Sequence, residues 1–227
     1  MGRILFIIDI IYLKMFKTIT RISLLVAIIL FATNIYGVSL KKEDVPNQML
    51  KKKYKEKKHP TPNYDRNRTN KVEGVILHHT AEPTIEKSLG VLTSLKKKVG
   101  THCVIDLDGT RYIMCEPEVA TYHAGFSVLN GKEGCNYFTI GIEFQGNTLE
   151  KPLTDDQIFS AIEYLKPLIK KYKIPIKNIV THEMVRKAYK KKYPKKRCSG
   201  KVDITQTEYL RFMKKLKSSI DNKQFQL

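Results

Sequence analysis

Two adjacent histidines, His78 and His79, close the apolar run Val75-Ile76-Leu77. Successive side chains of a strand point to opposite faces, so only one of the pair serves a site on a given face. Another histidine, His182, ends a second short apolar run, and Cys198 lies a loop beyond it. Two imidazoles and a thiolate are the donor set of a tetrahedral zinc site whose fourth position is left for water, the catalytic arrangement. Zinc held in this way lowers the pKa of bound water and polarises a carbonyl. Hydrolysis of an amide needs two further parts. The base that takes the water's proton and passes it to the leaving nitrogen is expected in Glu143, set among Ile140, Ile142 and Phe144 where a buried charge is costly without a partner. The cation beside the developing oxyanion is expected in Lys196, close to Cys198. Plainer readings stand beside these: a histidine pair used for packing, and a strand glutamate facing solvent.

The elements that must position these groups follow from pattern. Val75 to Leu77 read as a buried strand. Ile85, Leu89, Leu92 and Leu95 recur at helical spacing, with Thr84 as N-cap and Gly100 as stop. Apolar runs on either side of Asp108-Gly109 predict a hairpin over 102–115. Residues 136–144 predict another strand. Thr154-Asp155-Asp156-Gln157 is a capping box opening a helix that faces Ile158, Ile162, Leu165, Ile169 and Tyr172 inward, with Pro167 expected to kink or break it. Residues 176–181 predict a short strand ending at His182. Residues 183–196 read as a basic connection, and 205–220 as a last amphipathic helix with Leu210, Met213 and Leu216 on one side. The alternation of strands and helices predicts an α/β fold, a single domain with a central mixed β-sheet covered by helices.

Charge and the chain's beginning bound its surroundings. The 227 residues suffice for one well-cored domain with extensions, and carry 41 Lys and Arg against 22 Asp and Glu, a formal charge of +19. Much of the excess sits in 51–58 and 186–197, which read either as solvated faces or as attraction to a polyanion: nucleic acid, an acidic membrane surface or an anionic wall polymer. Lys14, Lys17 and Arg21 precede the apolar run Ile22 to Ala32, followed by small and polar residues, the signature of a secretory signal. Residues 1–40 are therefore expected to be a signal peptide or an uncleaved membrane anchor, which places the chain in the periplasm or cell envelope and makes nucleic acid the least expected partner. Residues 41–69, polar and lysine-dense with Pro46, Pro60 and Pro62, read as a basic tether. The folded domain is expected over 70–220, with 221–227 as a tail. Cys103, Cys115 and Cys135 form no CxxC pair; an oxidising compartment allows a disulfide among them without assigning one.

From Val72 to Lys217 the chain resembles the type 2 N-acetylmuramoyl-L-alanine amidases, zinc enzymes related to phage lysozyme-amidases and animal peptidoglycan recognition proteins. The likeness rests on Ile76-Leu77-His78-His79-Thr80-Ala81, His102 with Val104-Ile105-Asp106, Asp108-Gly109-Thr110, His123-Ala124-Gly125, Asn136 with Thr139-Ile140-Gly141-Ile142-Glu143, Thr181-His182-Glu183, and Cys198 with Gly200. The resemblance implies an amidase/peptidoglycan recognition protein-like fold and one zinc per chain, held by His78, His182 and Cys198. It implies that Glu143 is the carboxylate of the reaction, that Lys196 is the oxyanion-stabilising lysine two residues before the third ligand, and that His79 faces away. His123 and Asn136 are implied in substrate binding. His102 is either structural or cleft-lining. The gap from His182 to Cys198 is longer than usual in the family, and Ser199 stands where proline is usual near the third ligand, so Asp203 is the alternate ligand. Thr101 stands where some relatives carry a tyrosine near the metal. The implied activity is cleavage of the amide joining N-acetylmuramic acid to L-alanine in peptidoglycan or a released muropeptide. The competing expectation is a non-catalytic peptidoglycan-binding module of the same fold.

Overall fold

A computed structural model describes residues 52–196, 198 and 203–221. The described elements are β1 (Glu56–Lys58), β2 (Tyr64–Thr69), β3 (Gly74–His79), α1 (Ile85–Thr93), β4 (Cys103–Ile105), β5 (Arg111–Ile113), β6 (Val119–Thr121), β7 (Val128–Leu129), β8 (Lys132–Glu133), β9 (Thr139–Phe144), α2 (Asp155–Tyr172), β10 (Ile179–Thr181), α3 (His182–Lys192) and α4 (Gln206–Asp221). Six strands form a central mixed sheet in the order β1-β5-β4-β9-β3-β10. The β4/β5 pair is antiparallel, as a hairpin requires, and the other neighbours run parallel. The expected α/β architecture is the one observed.

Strand alternation divides the core. Val75 and Leu77 of β3, with Ile140, Ile142 and Phe144 of β9, face the side covered by α2 and α4, where Phe212 and Leu216 pack on them. Ile76 and Val180 face the other side, against Val185 of α3 and Phe138. Val104 meets Leu89 and Leu92 of α1 on that same side. Residues of the second set continue along the strands into His78 and Glu143, so the site face is the one beneath α1 and α3.

Local chemistry explains most element ends. The Thr154 hydroxyl accepts from Gln157 N at 3.0 Å while the Gln157 side chain accepts from Thr154 N at 3.0 Å, completing the expected capping box of α2. That helix runs on through Pro167; Pro167 and Glu163, whose carbonyl the proline cannot satisfy, are both exposed, so water can take the freed group. The β4/β5 hairpin turns at Gly109 with φ 82°, where only a left-handed backbone closes the bond from Gly109 N to Asp106 O.

Several expectations need correction. The folded unit begins well before Asn70: β1 pairs with β5 at the sheet edge and β2 pairs with β6, so much of the supposed tether is structure. Its lysines suit an edge strand, since Lys57 and Lys58 stay exposed and guard the unpaired side. The α1 helix stops at Thr93 instead of reaching Gly100, because the Asn63 side-chain amide takes the carbonyls of Leu92, Ser94 and Val99 at 3.0, 3.0 and 2.8 Å. The basic connection after His182 is instead the helix α3, with Val185 and Tyr189 buried one turn apart. In α4, Leu210 is 56% exposed; Phe212, Met213 and Leu216 form the buried face. All four cysteines are free thiols. The expected signal or anchor lies outside the described residues, and no described helix is long and apolar enough to cross a membrane.

Candidate metal and catalytic site

The ends of three adjacent parallel strands bring the site together. In register, His78 of β3 pairs with Glu143 of β9, and Thr181 of β10 pairs with Leu77. His182 follows at once as the first residue of α3, whose N-cap Thr181 accepts from Met184 N at 3.3 Å. The strand alternation that buries Ile76 therefore turns His78 and Glu143 onto one face. These groups line a cavity of about 370 Å³ together with Asn136, Tyr122, Phe126 and Arg186.

The acid that completes the cluster is Asp203, fully buried just before α4. Its Oδ2 lies 2.8 Å from His182 Nδ1 and its Oδ1 lies 3.4 Å from His78 Nδ1. The donor atoms of His78, His182 and Asp203 all fall within 4.8 Å of one another, a grouping that could hold a metal ion. The donor chemistry fits such an ion. His182 Nε2 lies 3.2 Å from the Ala124 carbonyl and Nδ1 lies 2.8 Å from the Asp203 carboxylate, and both partners only accept. With the Nε2 proton held by Ala124, Nδ1 and the carboxylate meet over either a shared proton or a cation, which is the donor chemistry of a metal site. Burial alone would raise the Asp203 carboxyl, but its contacts with His182 and His78 outweigh that and hold it far below the usual carboxylate range.

Position across the sheet also explains His79. Buried on the opposite face, its Nδ1 accepts from Thr148 N at 3.1 Å and lies 2.9 Å from Thr148 Oγ1. That hydroxyl accepts in turn from Thr205 N at 3.0 Å, two residues beyond Asp203. Ile204, between them, is buried in the core. The neighbour of one candidate ligand thus helps seat the segment carrying another.

The remaining expected residues are distributed as follows. Glu143 is 7% exposed and lines the cavity, and among the described residues its Oε2 has no hydrogen-bond partner. Asn136 also lines the cavity, while its Oδ1 accepts from the backbone of His123 and Ala124 at 3.1 and 2.7 Å, fixing that loop. His123 lines the cavity with its ring buried, 5.5 Å from that of His78. Burial, and then the neighbouring His78, His102 and His182, keep His123 well below the ordinary imidazole pKa. His102 is fully buried and absent from the cavity lining, with its ring bonded to Gly141 N, Thr121 Oγ1 and Val119 O, which is the structural placement of its two readings. Cys198 lines the cavity with Sγ 3.9 Å from the Phe126 carbonyl, outside the His78-His182-Asp203 grouping. Lys196 is exposed, its Nζ 4.1 Å from the Tyr193 ring centroid and not on the cavity wall. Arg186 was not anticipated as a cavity residue; its signal was Val185 and Tyr189 at helical spacing, which turns Arg186 toward the cleft.

Residues 68–201 match the N-acetylmuramoyl-L-alanine amidase family. Over 88 residues the chain is 41% identical to the 1,6-anhydro-N-acetylmuramyl-L-alanine amidase AmpD of Haemophilus influenzae, covering 37% of this chain and 46% of the relative. The enzyme of the same name from Escherichia coli K12 is 35% identical over 85 residues, again 37% of this chain and 46% of the relative. The chain thus aligns with less than half the length of these curated relatives. Among solved structures, an AmpD selenomethionine derivative superposes with a TM-score of 0.52 at 21% identity, covering 70% of this chain and 93% of that one. The PlyG catalytic domain gives a TM-score of 0.54 at 19% identity, covering 72% and 94%. With more than half of its length matched, the chain belongs to the N-acetylmuramoyl-L-alanine amidase family.

Proposed function

We propose that this protein is an exported, zinc-dependent amidase that hydrolyses the bond between N-acetylmuramic acid and L-alanine in peptidoglycan or a muropeptide. The observation that carries the reading is the meeting of His78, His182 and Asp203, with both histidines and buried Glu143 lining one cavity. Asp203, the alternate of the sequence reading, is the third zinc ligand on this account; Cys198 is a wall residue of the same cleft. The spacing that led to Lys196, two residues before the ligand, then leads to Lys201, which lies outside the described residues.

Zinc, when bound, supplies a water of lowered pKa and an electrophile for the scissile carbonyl. Glu143 would act as the base that takes a proton from the attacking water and returns it to the departing nitrogen, so that the C–N bond breaks, the lactyl group leaves as a carboxylic acid and L-alanine gains a free amine. Its lack of a competing partner at Oε2 suits that exchange. Asn136 holds the His123-Ala124 turn, and through the Ala124 carbonyl the orientation of His182. The Lys201 ammonium would steady the oxyanion.

The basic, then apolar, then small-residue pattern over 1–40 supports export, and the lysine-rich faces support attraction to an anionic wall or membrane that weakens with salt. The test is release of free L-alanine amino-termini from purified peptidoglycan and from anhydro-muropeptide by protein lacking residues 1–40, with and without chelator. Chelator-sensitive release is expected. Tight muropeptide binding with no release under zinc-replete conditions would hand the chain to the binding-module reading.

A further inference from the structure

One buried group beside the proposed metal site has no part in the chemistry above. The ring of His123 lies in contact with Gly141 of β9, where an added Cβ would come within 2.6 Å of His123 Cγ. Glycine at this strand position leaves the space in which the imidazole sits. From there the hydrogen-bond directions can be followed atom by atom. Thr139 Oγ1 gives its proton to the Cys135 carbonyl at 2.7 Å, so toward His123 it can only accept. His123 Nε2 faces that oxygen at 3.4 Å and the Thr139 carbonyl at 3.3 Å, two acceptors, and therefore carries a proton. Among the described residues no carboxylate is bonded to His123 that would support a second proton. Its Nδ1 is thus a lone pair, and it faces His78 Nε2 at 3.3 Å. His78 must place a proton there, which leaves Nδ1, 3.4 Å from Asp203 Oδ1, as the atom through which it can ligate.

We propose that His123 is a positioning residue that fixes the Nε2–H tautomer and ring orientation of His78, and thereby prepares His78 Nδ1 to ligate zinc. The inference rests on His78 being a ligand. It gives the two histidine ligands matching supports, the Ala124 carbonyl for His182 and the His123 ring for His78, both delivered by the turn that Asn136 holds. Partners of this kind are typically worth about 10- to 100-fold in metal affinity. The role differs from the substrate contact expected of His123 from sequence.

The test uses nitrogen-15 NMR of the metal-free full chain together with zinc affinity from competition with a chromophoric chelator. In the native protein His78 is expected as the pure Nε2–H tautomer. His123→Leu removes the acceptor and should mix the two tautomers and weaken zinc binding by about 10- to 100-fold. His123→Asn, whose side-chain oxygen can stand where Nδ1 stands, should restore most of both. Gly141→Ala, which keeps the imidazole but crowds it, should resemble His123→Leu. The proposal is overturned if native His78 carries its proton on Nδ1, if His123→Leu binds zinc as the native protein does, or if zinc affinity falls with the His78 tautomer unchanged. The tautomer reading needs no zinc, so a native protein that binds none would defeat the amidase reading and still decide this one.

Discussion

Acidification from pH 7 to 4.5 should cost this fold a definite amount through His102. The imidazole is fully buried, accepts at Nδ1 from Gly141 N at 2.9 Å, and donates from Nε2 to the Val119 carbonyl at 2.8 Å. A second proton on Nδ1 would confront the Gly141 N–H. Burial is the main reason that the pKa falls from 6.5 to about 4, with the Val119 carbonyl and the Glu118 charge pulling weakly the other way. The folded pKa lies below the unfolded one, so the unfolded chain binds more protons between them. The stabilisation is complete above pH 6.5 and lost as pH falls toward 4. At 1.36 kcal/mol per pKa unit the full span amounts to about 3 kcal/mol, of which about 2 kcal/mol is lost by pH 4.5. His102→Asn can keep the acceptor for Gly141 but does not titrate here. It should be less stable at pH 7 by about 1–3 kcal/mol through the lost bond to Val119, yet lose about 2 kcal/mol less than the native protein on acidification. Urea unfolding of both proteins at a series of pH values measures this, and the difference cancels the titration of groups that do not interact with His102. Parallel stability curves for native and variant proteins would show that His102 carries no part of the acid sensitivity.

Three further outcomes follow from the same geometry. Glu143→Gln keeps the shape of the side chain and removes the base, so turnover should fall by about 10²- to 10⁴-fold with zinc content unchanged; turnover within a few-fold of native would remove Glu143 from the reaction. Asn63→Ala removes the donor of the Val99 carbonyl and one of several donors to the Leu92 and Ser94 carbonyls just after α1, and should lower stability by about 1–2 kcal/mol in urea unfolding. A loss under 0.5 kcal/mol would mean that water replaces the amide. Release of peptide from intact peptidoglycan should weaken between low and high ionic strength far more than release from a small muropeptide, if the lysine-rich faces act on the polymer. Equal salt sensitivity on the two substrates would confine the charge effect to the cleft.

Much of this was legible residue by residue, because the signals were local. Two histidines on one strand can face only opposite ways, and the structure sends His78 to the cavity and His79 to Thr148. The Thr154 capping box and the Asp108-Gly109 turn needed only their own neighbours. Glu143 stood out as a charge within an apolar strand and proved buried in the cavity wall. What escaped depended on distant partners. Thiolate is the softer donor, so Cys198 stood ahead of Asp203 in the sequence reading; only tertiary packing places Asp203 against both imidazoles, through Ile204 in the core and Thr205 on Thr148. The helix after His182 was obscured by its lysines, although Val185 and Tyr189 mark its inner face. The early strand β1 hides in a lysine run, since an edge strand buries too little to show alternation. Leu210 follows the apolar spacing of α4 but points outward, while Phe212, outside the expected triplet, fills the core.

Zinc stoichiometry and affinity of the native protein, Asp203→Ala and Cys198→Ala decide whether zinc is held by His78, His182 and Asp203. One tightly held zinc in the native protein and in Cys198→Ala, with zinc and amidase activity lost together in a still-folded Asp203→Ala, is the expected result. Zinc retained by Asp203→Ala and lost from Cys198→Ala would contradict the account and return the third position to the thiolate.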